Sequence, residues 1–153
     1  MGASQFDHMT SRRKFLRSAA IMAASATSAT ALAANTEHHH HNHQANSSLV
    51  DAALDCVKSG EFCKDHCIQL VKDGNTSIAD CLSAVNDMLP ACSTLAKLAI
   101  TDSKHLKEYA KVCMAICQDC EKACKVHKNK HAACKACMES CAHCIKECEK
   151  ITA

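Results

Sequence analysis

The sequence has no tryptophan, and aromatic residues make up 3% of its 153 positions. Past residue 34 only Phe62 and Tyr109 remain. That scarcity excludes a conventional core of leucine, phenylalanine and tryptophan. It also excludes the aromatic platforms on which single-stranded nucleic acids stack. Glycine occurs three times and proline once, which argues against many turns and for long helices. Neither sign of charge is in marked excess. The formal net charge is +2, and without residues 1–34 there are 14 basic against 15 acidic side chains, a net of −1. So even a balance offers no basic patch for nucleic acid. Past residue 34 no apolar run is long enough to span a bilayer. No Ser/His/Asp set and no phosphate-binding glycine loop is present, so nothing points to an enzyme.

What the sequence has in abundance is cysteine, 14 residues, nine of them between Cys113 and Cys148. Cys113, Cys117, Cys120 and Cys124 are separated by steps of four, three and four. Cys134, Cys137, Cys141, Cys144 and Cys148 continue with three, four, three and four. Alternating threes and fours trace one face of an α-helix. Upstream, Cys56, Cys63 and Cys67 are spaced seven and four, and Cys81 and Cys92 lie 11 apart. Leu, Val, Ile and Ala flank these stripes, while Lys, Asp and Glu lie mostly opposite.

Four helices are predicted: about Ser48 to Lys72, Ser77 to Ile100, Asp102 or Ser103 to His127, and Lys130 to Lys150. Ser47 or Ser48 serves as the first N-cap and Gly74 as the stop. Pro90 should kink or locally break the second helix. The connections DGNT, TD and KNK are short enough to force neighbours antiparallel. The expected fold is therefore all-α, an antiparallel up-down-up-down four-helix bundle with a cysteine-lined core, occupying residues 49–153.

Two segments precede it. Residues 1–34 resemble a twin-arginine signal peptide, with SRRKFLR at 11–17, an Ala-rich run from Ser18 to Leu32, and a small-x-small cleavage pattern at Ala31-Leu32-Ala33. The expected destination is the periplasm, reached already folded, with no membrane anchor after cleavage. Residues 35–48 form a polar, flexible segment carrying His38, His39, His40, His41 and His43. Imidazole is a competent metal ligand, so these five histidines are candidates for metal uptake, against a plain solvated tail.

A sulfur-lined bundle admits several chemistries. Disulfides are usual in exported proteins, but neighbours at i and i+4 have nearly parallel Cβ vectors, a poor match to disulfide geometry. Zinc favours Cys-x2-Cys knuckles in turns. Cys134-x2-Cys137 and Cys141-x2-Cys144 have the spacing but continue a helical stripe. An iron–sulfur cluster needs a wrapping loop that the Cys113–Cys124 run lacks. A thiol redox protein would show one exposed Cys-x2-Cys at a helix start, whereas here the pairs repeat in mid-helix. Cu(I) fits best. It is soft, accepts two or three thiolates, and forms neutral units with them that an apolar core tolerates. Cys63/Cys67, Cys113/Cys117, Cys120/Cys124, Cys137/Cys141 and Cys144/Cys148 each supply two sulfurs from one helix. All 14 cysteines, Cys56, Cys81, Cys92 and Cys134 included, are candidate ligands for many Cu(I) ions. Met88, Met114 and Met138 read as core filler. His66 and His143 read as solvent-facing, and His127 and His131 flank the third loop, forming either a second polar mouth or a solvated loop.

The stripes on four helices behind a twin-arginine motif resemble the bacterial copper storage proteins. The resemblance covers about Leu49 to Ala153 and is closest in GEFCKDHC at 60–67, ACSTLAKLA at 91–99 and CKACMESCAHCIKEC at 134–148. It implies Cu(I) held by core thiolates, a storage role without catalysis, often a homotetramer, and exchange with copper donor or acceptor proteins. Exported members carry methionine and histidine near the start of the bundle. This chain has five histidines and no methionine there.

The export reading has a direct test. Replacing Arg12 and Arg13 with lysine should leave the protein in the cytoplasm with residues 1–34 still attached. Fractionation and mass measurement of the double variant check this, and normal periplasmic accumulation would remove the twin-arginine assignment.

Overall fold

The computed structural model describes residues 46–153. They form four α-helices: α1 (Ser47–Lys72), α2 (Ala79–Ile100), α3 (Leu106–Lys125) and α4 (Ala132–Thr152), with one 3-10 turn at Thr76–Ile78. Each helix packs along two neighbours, α1 against α2 and α4, and α3 against α2 and α4. The expected up-down-up-down bundle is what the chain forms. The proposed signal peptide and His38, His39, His40, His41 and His43 lie outside the described residues. No helix among the described residues is long and apolar enough to cross a membrane.

The connections explain where the helix ends depart from expectation. Gly74 takes φ +84, and its N–H donates to Val71 O at 3.0 Å while Asn75 N–H donates to Leu70 O at 2.9 Å. This paired closure ends α1 at the expected glycine. Asn75 then caps the 3-10 turn by accepting from Ser77 N–H and from the Ser77 hydroxyl, so α2 proper begins only at Ala79. The same closure recurs after α2. Ser103 N–H donates to Leu98 O and Asp102 N–H to Ala99 O, with Asp102 at φ +46. A left-handed residue there cannot start a helix, so α3 begins at Leu106 and not at Asp102 or Ser103. Turns at His127–Lys130 shorten α3 to Lys125 and delay α4 to Ala132. The helix start before Leu49 also differs. Asn46, not a serine, occupies the cap position. Its side-chain amide instead donates to Ala99 O and Asp102 Oδ1, both at 3.4 Å, tying the start of α1 to the α2–α3 connection.

Pro90 does not break α2, which runs unbroken from Ala79 to Ile100. Proline removes one N–H and so leaves the carbonyl four residues back without a helical donor. Pro90 and Asn86 are both exposed, so that carbonyl can be solvated.

The core divides into two chemistries. All 14 cysteines are fully buried. α3 buries only Leu106 and Ala110 besides its four cysteines, and α4 buries Ile145 and Glu147 besides its five. The aliphatic part comes mainly from α2, with Val85, Met88, Leu89 and Leu95, and from Leu49, Ala52 and Ala53 of α1. Met88 is core filler as expected, and Met114 and Met138 pack half-buried against the core. Glu147, the buried charged residue, accepts from Lys150 Nζ at 2.6 Å.

Gly60 sets the approach of α1 to α2. A Cβ at this position would stand 2.5 Å from Met88 Cε and 2.9 Å from Leu89 Cδ2. Both neighbours are packed side chains, so an added branched side chain must displace them. Gly60→Val is expected to destabilise the reduced apo protein by about 1–3 kcal/mol through overpacking. Urea unfolding monitored by circular dichroism checks this, and an unchanged midpoint would show that the two helices separate without cost.

Candidate metal centre

Each helix brings its sulfur face inward because the i, i+3, i+4, i+7 positions of a bundle helix are those that meet its partners. The result is four tight groups whose sulfurs lie within 4.8 Å of one another. Cys56, Cys92, Cys117 and Cys144 form one layer, with one thiol from each helix. Cys63, Cys67, Cys81 and Cys134 form a second, toward the end where α1 finishes and α4 starts. Cys63, Cys124 and Cys137 form a third group, and Cys120, Cys137 and Cys141 a fourth. Cys63 and Cys137 are each shared by two groups.

The groups run into one another. Cys141 reaches Cys56 and Cys117. Cys113 Sγ lies 3.9 Å from Cys92 Sγ, and Cys148 interacts with Cys113 and Cys144. All 14 thiols therefore belong to one continuous run. On α4 it extends from Cys134 to Cys148, roughly 21 Å at the rise of an α-helix. The five i, i+4 pairs expected from the sequence are in contact. The groups also join different helices, which spacing alone does not reveal. Two close sulfur separations are of this kind: Cys81 to Cys124 at 3.3 Å and Cys92 to Cys117 at 3.5 Å, both between α2 and α3. All cysteines are free thiols.

A thiol packed this way ionises reluctantly, because burial penalises charge. Burial, followed by the charges of Cys81 and Cys134, pushes the Cys67 thiol up to about 12. Some positions run the other way. Cys81 is held far below the usual thiol range by S–H donation from Cys124, then Cys134 and Cys63. Cys137 is lowered by Cys120, Cys124 and Cys141, and Cys144 by Cys113, Cys117 and Cys148. The same contacts raise Cys63, through Cys124 and Cys134 first. The physical picture is of a first thiolate in each region, stabilised by neighbours that keep their protons. Such a sulfur is a ready soft ligand, and the thiols around it can be deprotonated in turn as metal replaces protons.

The histidines require one correction. His66 is not simply solvent-facing. It is half-buried, and its Nε2 lies 3.0 Å from Nδ1 of His131, which precedes α4. The two ring centroids are 4.8 Å apart, and the His127 ring lies 6.3 Å from that of His131. Burial and then the nearby His66 keep the His131 imidazole below its ordinary pKa. The sequence hid this pairing because 65 residues separate the partners and His66 lies just off the sulfur stripe. His143 is exposed as expected, with Nε2 3.7 Å from Glu147 Oε1.

These features agree with what the chain resembles elsewhere. Residues 42–153 match the family model described as copper storage protein. The uncharacterized cysteine-rich protein YhjQ of Bacillus subtilis strain 168 is 26% identical over 110 residues, which are 72% of this chain and 98% of that protein. Among solved structures, the chain is similar to Cu(I)-bound copper storage protein BsCsp3, at 27% identity and a TM-score of 0.64, covering 71% of this chain and 98% of that one. It is similar also to the apo form of copper storage protein 3 from Bacillus subtilis, at 26% identity and a TM-score of 0.63, covering 71% and 99%. With a bundle of this architecture, a continuous core of buried thiols and a family match over most of its length, the chain belongs to the copper storage protein family.

Proposed function

We propose that this protein stores Cu(I), holding many ions along its core through the thiolates of Cys56, Cys63, Cys67, Cys81, Cys92, Cys113, Cys117, Cys120, Cys124, Cys134, Cys137, Cys141, Cys144 and Cys148. The observation that carries this reading is the sharing of sulfurs between groups. Cys63 and Cys137 each serve two of them, and bridging thiolates suit a metal that takes two or three soft ligands. The chain's similarity to a Cu(I)-bound structure supports the same metal.

A second reading has a specific observation behind it. Four sulfurs about 2.3 Å from one tetrahedral zinc stand about 3.8 Å apart. Cys63, Cys81 and Cys134 are separated by 3.8 to 3.9 Å, with Cys67 at 4.0 Å from Cys81. Charge decides against it as the main role. A buried Zn2+ with four thiolates carries two uncompensated negative charges, whereas one Cu(I) per thiolate is neutral.

The reading places the chain outside catalysis, since the buried thiols leave no open position for a substrate. The SRRKFLR motif supports export to the periplasm by the twin-arginine route, where the protein would buffer excess copper or hand it to copper-requiring proteins. Position alone, just ahead of α1, supports an uptake role for His38, His39, His40, His41 and His43. The family resemblance supports a homotetramer.

Reduced protein titrated anaerobically with Cu(I) is expected to bind on the order of one ion per cysteine, releasing about one proton for each thiol that becomes a thiolate. A competing Cu(I) chelator reads the stoichiometry, and an indicator dye in weak buffer reads the protons. Saturation at one or two ions would overturn the storage reading.

Without metal the raised thiols give a pH signature of known sign. Cys67 keeps its proton in the folded chain up to about pH 12, while an unfolded thiol loses it near ~8.5. The folded state therefore binds more protons across that window. Stability is full below it and falls as pH rises through it. Urea midpoints of the apo protein should drop over this range, and Cys67→Ala should make the drop smaller.

A further inference from the structure

We propose that the end of the bundle at His66 and His131 accepts Cu(II) and that the thiols directly behind it reduce the ion to Cu(I), so that the store loads itself from oxidised copper. The proposal rests on the storage reading for the fate of the product, but not for the reduction itself.

The imidazole pair is close enough for both rings to hold one ion, and imidazole nitrogen is a ligand that suits Cu(II). Imidazole nitrogens bind metals at about 2.0 Å. In the tetragonal geometry that Cu(II) prefers, two cis nitrogens then stand about 2.8 Å apart, whereas a linear two-nitrogen Cu(I) would hold them about 4 Å apart. His66 Nε2 and His131 Nδ1 are hydrogen-bonded at 3.0 Å, so an ion that takes both nitrogens displaces the proton between them to the other nitrogen of its ring or to solvent. Both rings are only half-buried, so an ion reaches them from solvent, unlike the fully buried sulfurs. His127 lies beside His131 at a ring distance of 6.3 Å. A neighbouring hollow of about 310 Å3 elsewhere on α1 and α4, near Phe62, carries no ligating group of this kind.

The sulfurs stand next in line. His66 is followed by Cys67, and His131 is three residues ahead of Cys134. Both cysteines belong to the group with Cys63 and Cys81. Cys81 Sγ is 3.3 Å from Cys124 Sγ, on the facing helix. That separation must close to about 2.05 Å to form a disulfide. The reaction balances without any other oxidant. Two Cu(II) ions each take one electron, the thiols of Cys81 and Cys124 lose their S–H bonds and form one S–S bond, and two protons leave to solvent. The two Cu(I) ions pass to Cys63, Cys67 and Cys134, softer ligands than imidazole. One disulfide thus consumes two storage thiols, and a reductant of the thiol class restores them.

The test uses the fully reduced protein with substoichiometric cupric sulfate under anaerobic conditions. Expected is a transient Cu(II) electron paramagnetic resonance signal with nitrogen hyperfine structure. It should decay as the thiol count falls by one per Cu(II) added, and peptide mapping should find the Cys81–Cys124 cross-link. In the double variant His66→Ala/His131→Ala the nitrogen-coupled signal should vanish and reduction should slow roughly tenfold or more, with capacity for Cu(I) supplied directly left unchanged. A long-lived Cu(II) signal with all thiols intact would overturn the proposal. So would an unchanged rate in the double variant, or a cross-link confined to the opposite end at Cys92–Cys117. Failure of the direct Cu(I) titration would instead count against storage, since nitrogen-coupled signal and thiol loss do not depend on how many Cu(I) are retained.

Discussion

The structure depends on a property of the thiol group: protonated, it packs as a small apolar side chain, and deprotonated, it is a strong soft ligand. All 14 cysteines are buried, and most of a metal-free core of this kind must stay in the first state. A bundle core filled with thiolates and no metal would place many like charges in a low-dielectric interior. The network handles this by sharing protons. Where Cys81, Cys137 and Cys144 are lowered, surrounding thiols donate to them, and among these neighbours Cys63, Cys113 and Cys124 are held protonated. A soft cation can then replace protons one at a time while the interior stays close to neutral.

That chemistry constrains the rest of the molecule. Cysteine side chains are short, so a core made of them alone draws helices together but fills little volume. The chain compensates on one side. α2 supplies Val85, Met88, Leu89 and Leu95, and Gly60 on α1 lets that layer come close. α3 and α4 bury almost nothing but sulfur between their ends. Rigid closures finish the frame. The left-handed residues Gly74 and Asp102 stop α1 and α2 through the same pair of backbone hydrogen bonds. Asn46 then links the start of α1 to the α2–α3 connection. Sulfur positions fixed by such a frame lower the ordering cost of binding.

The two ends of the bundle differ in chemistry. At one, Leu49, Ala99 and Leu106 close the core with aliphatic groups. At the other, Cys67, Cys81 and Cys134 come close to the half-buried imidazoles of His66 and His131. Among the described residues this is where polar metal ligands and buried thiols meet, and it makes that end the natural route between solvent and the store.

Much of this was legible in the chain itself. The alternation of threes and fours from Cys113 to Cys148 determined helices with one sulfur face, because an α-helix repeats every 3.6 residues. Three short connections determined antiparallel neighbours, and the scarcity of aromatic side chains, with cysteine at the inward positions, determined that sulfur must line much of the core. The local break that Pro90 signals did not occur, because an exposed position lets water satisfy the carbonyl that proline orphans. Helix starts at Ser77, Asp102 and Lys130 did not occur either, because capping turns are chosen by backbone hydrogen bonds that composition does not record. Only the tertiary structure decided which thiols share a layer, that Cys81 faces Cys124 and Cys92 faces Cys117, and that His66 meets His131 across 65 residues. Helical period assigns each side chain to a face. Contact between faces depends on the axial offset and rotation of whole helices, and these are settled by packing the aliphatic and sulfur side chains together.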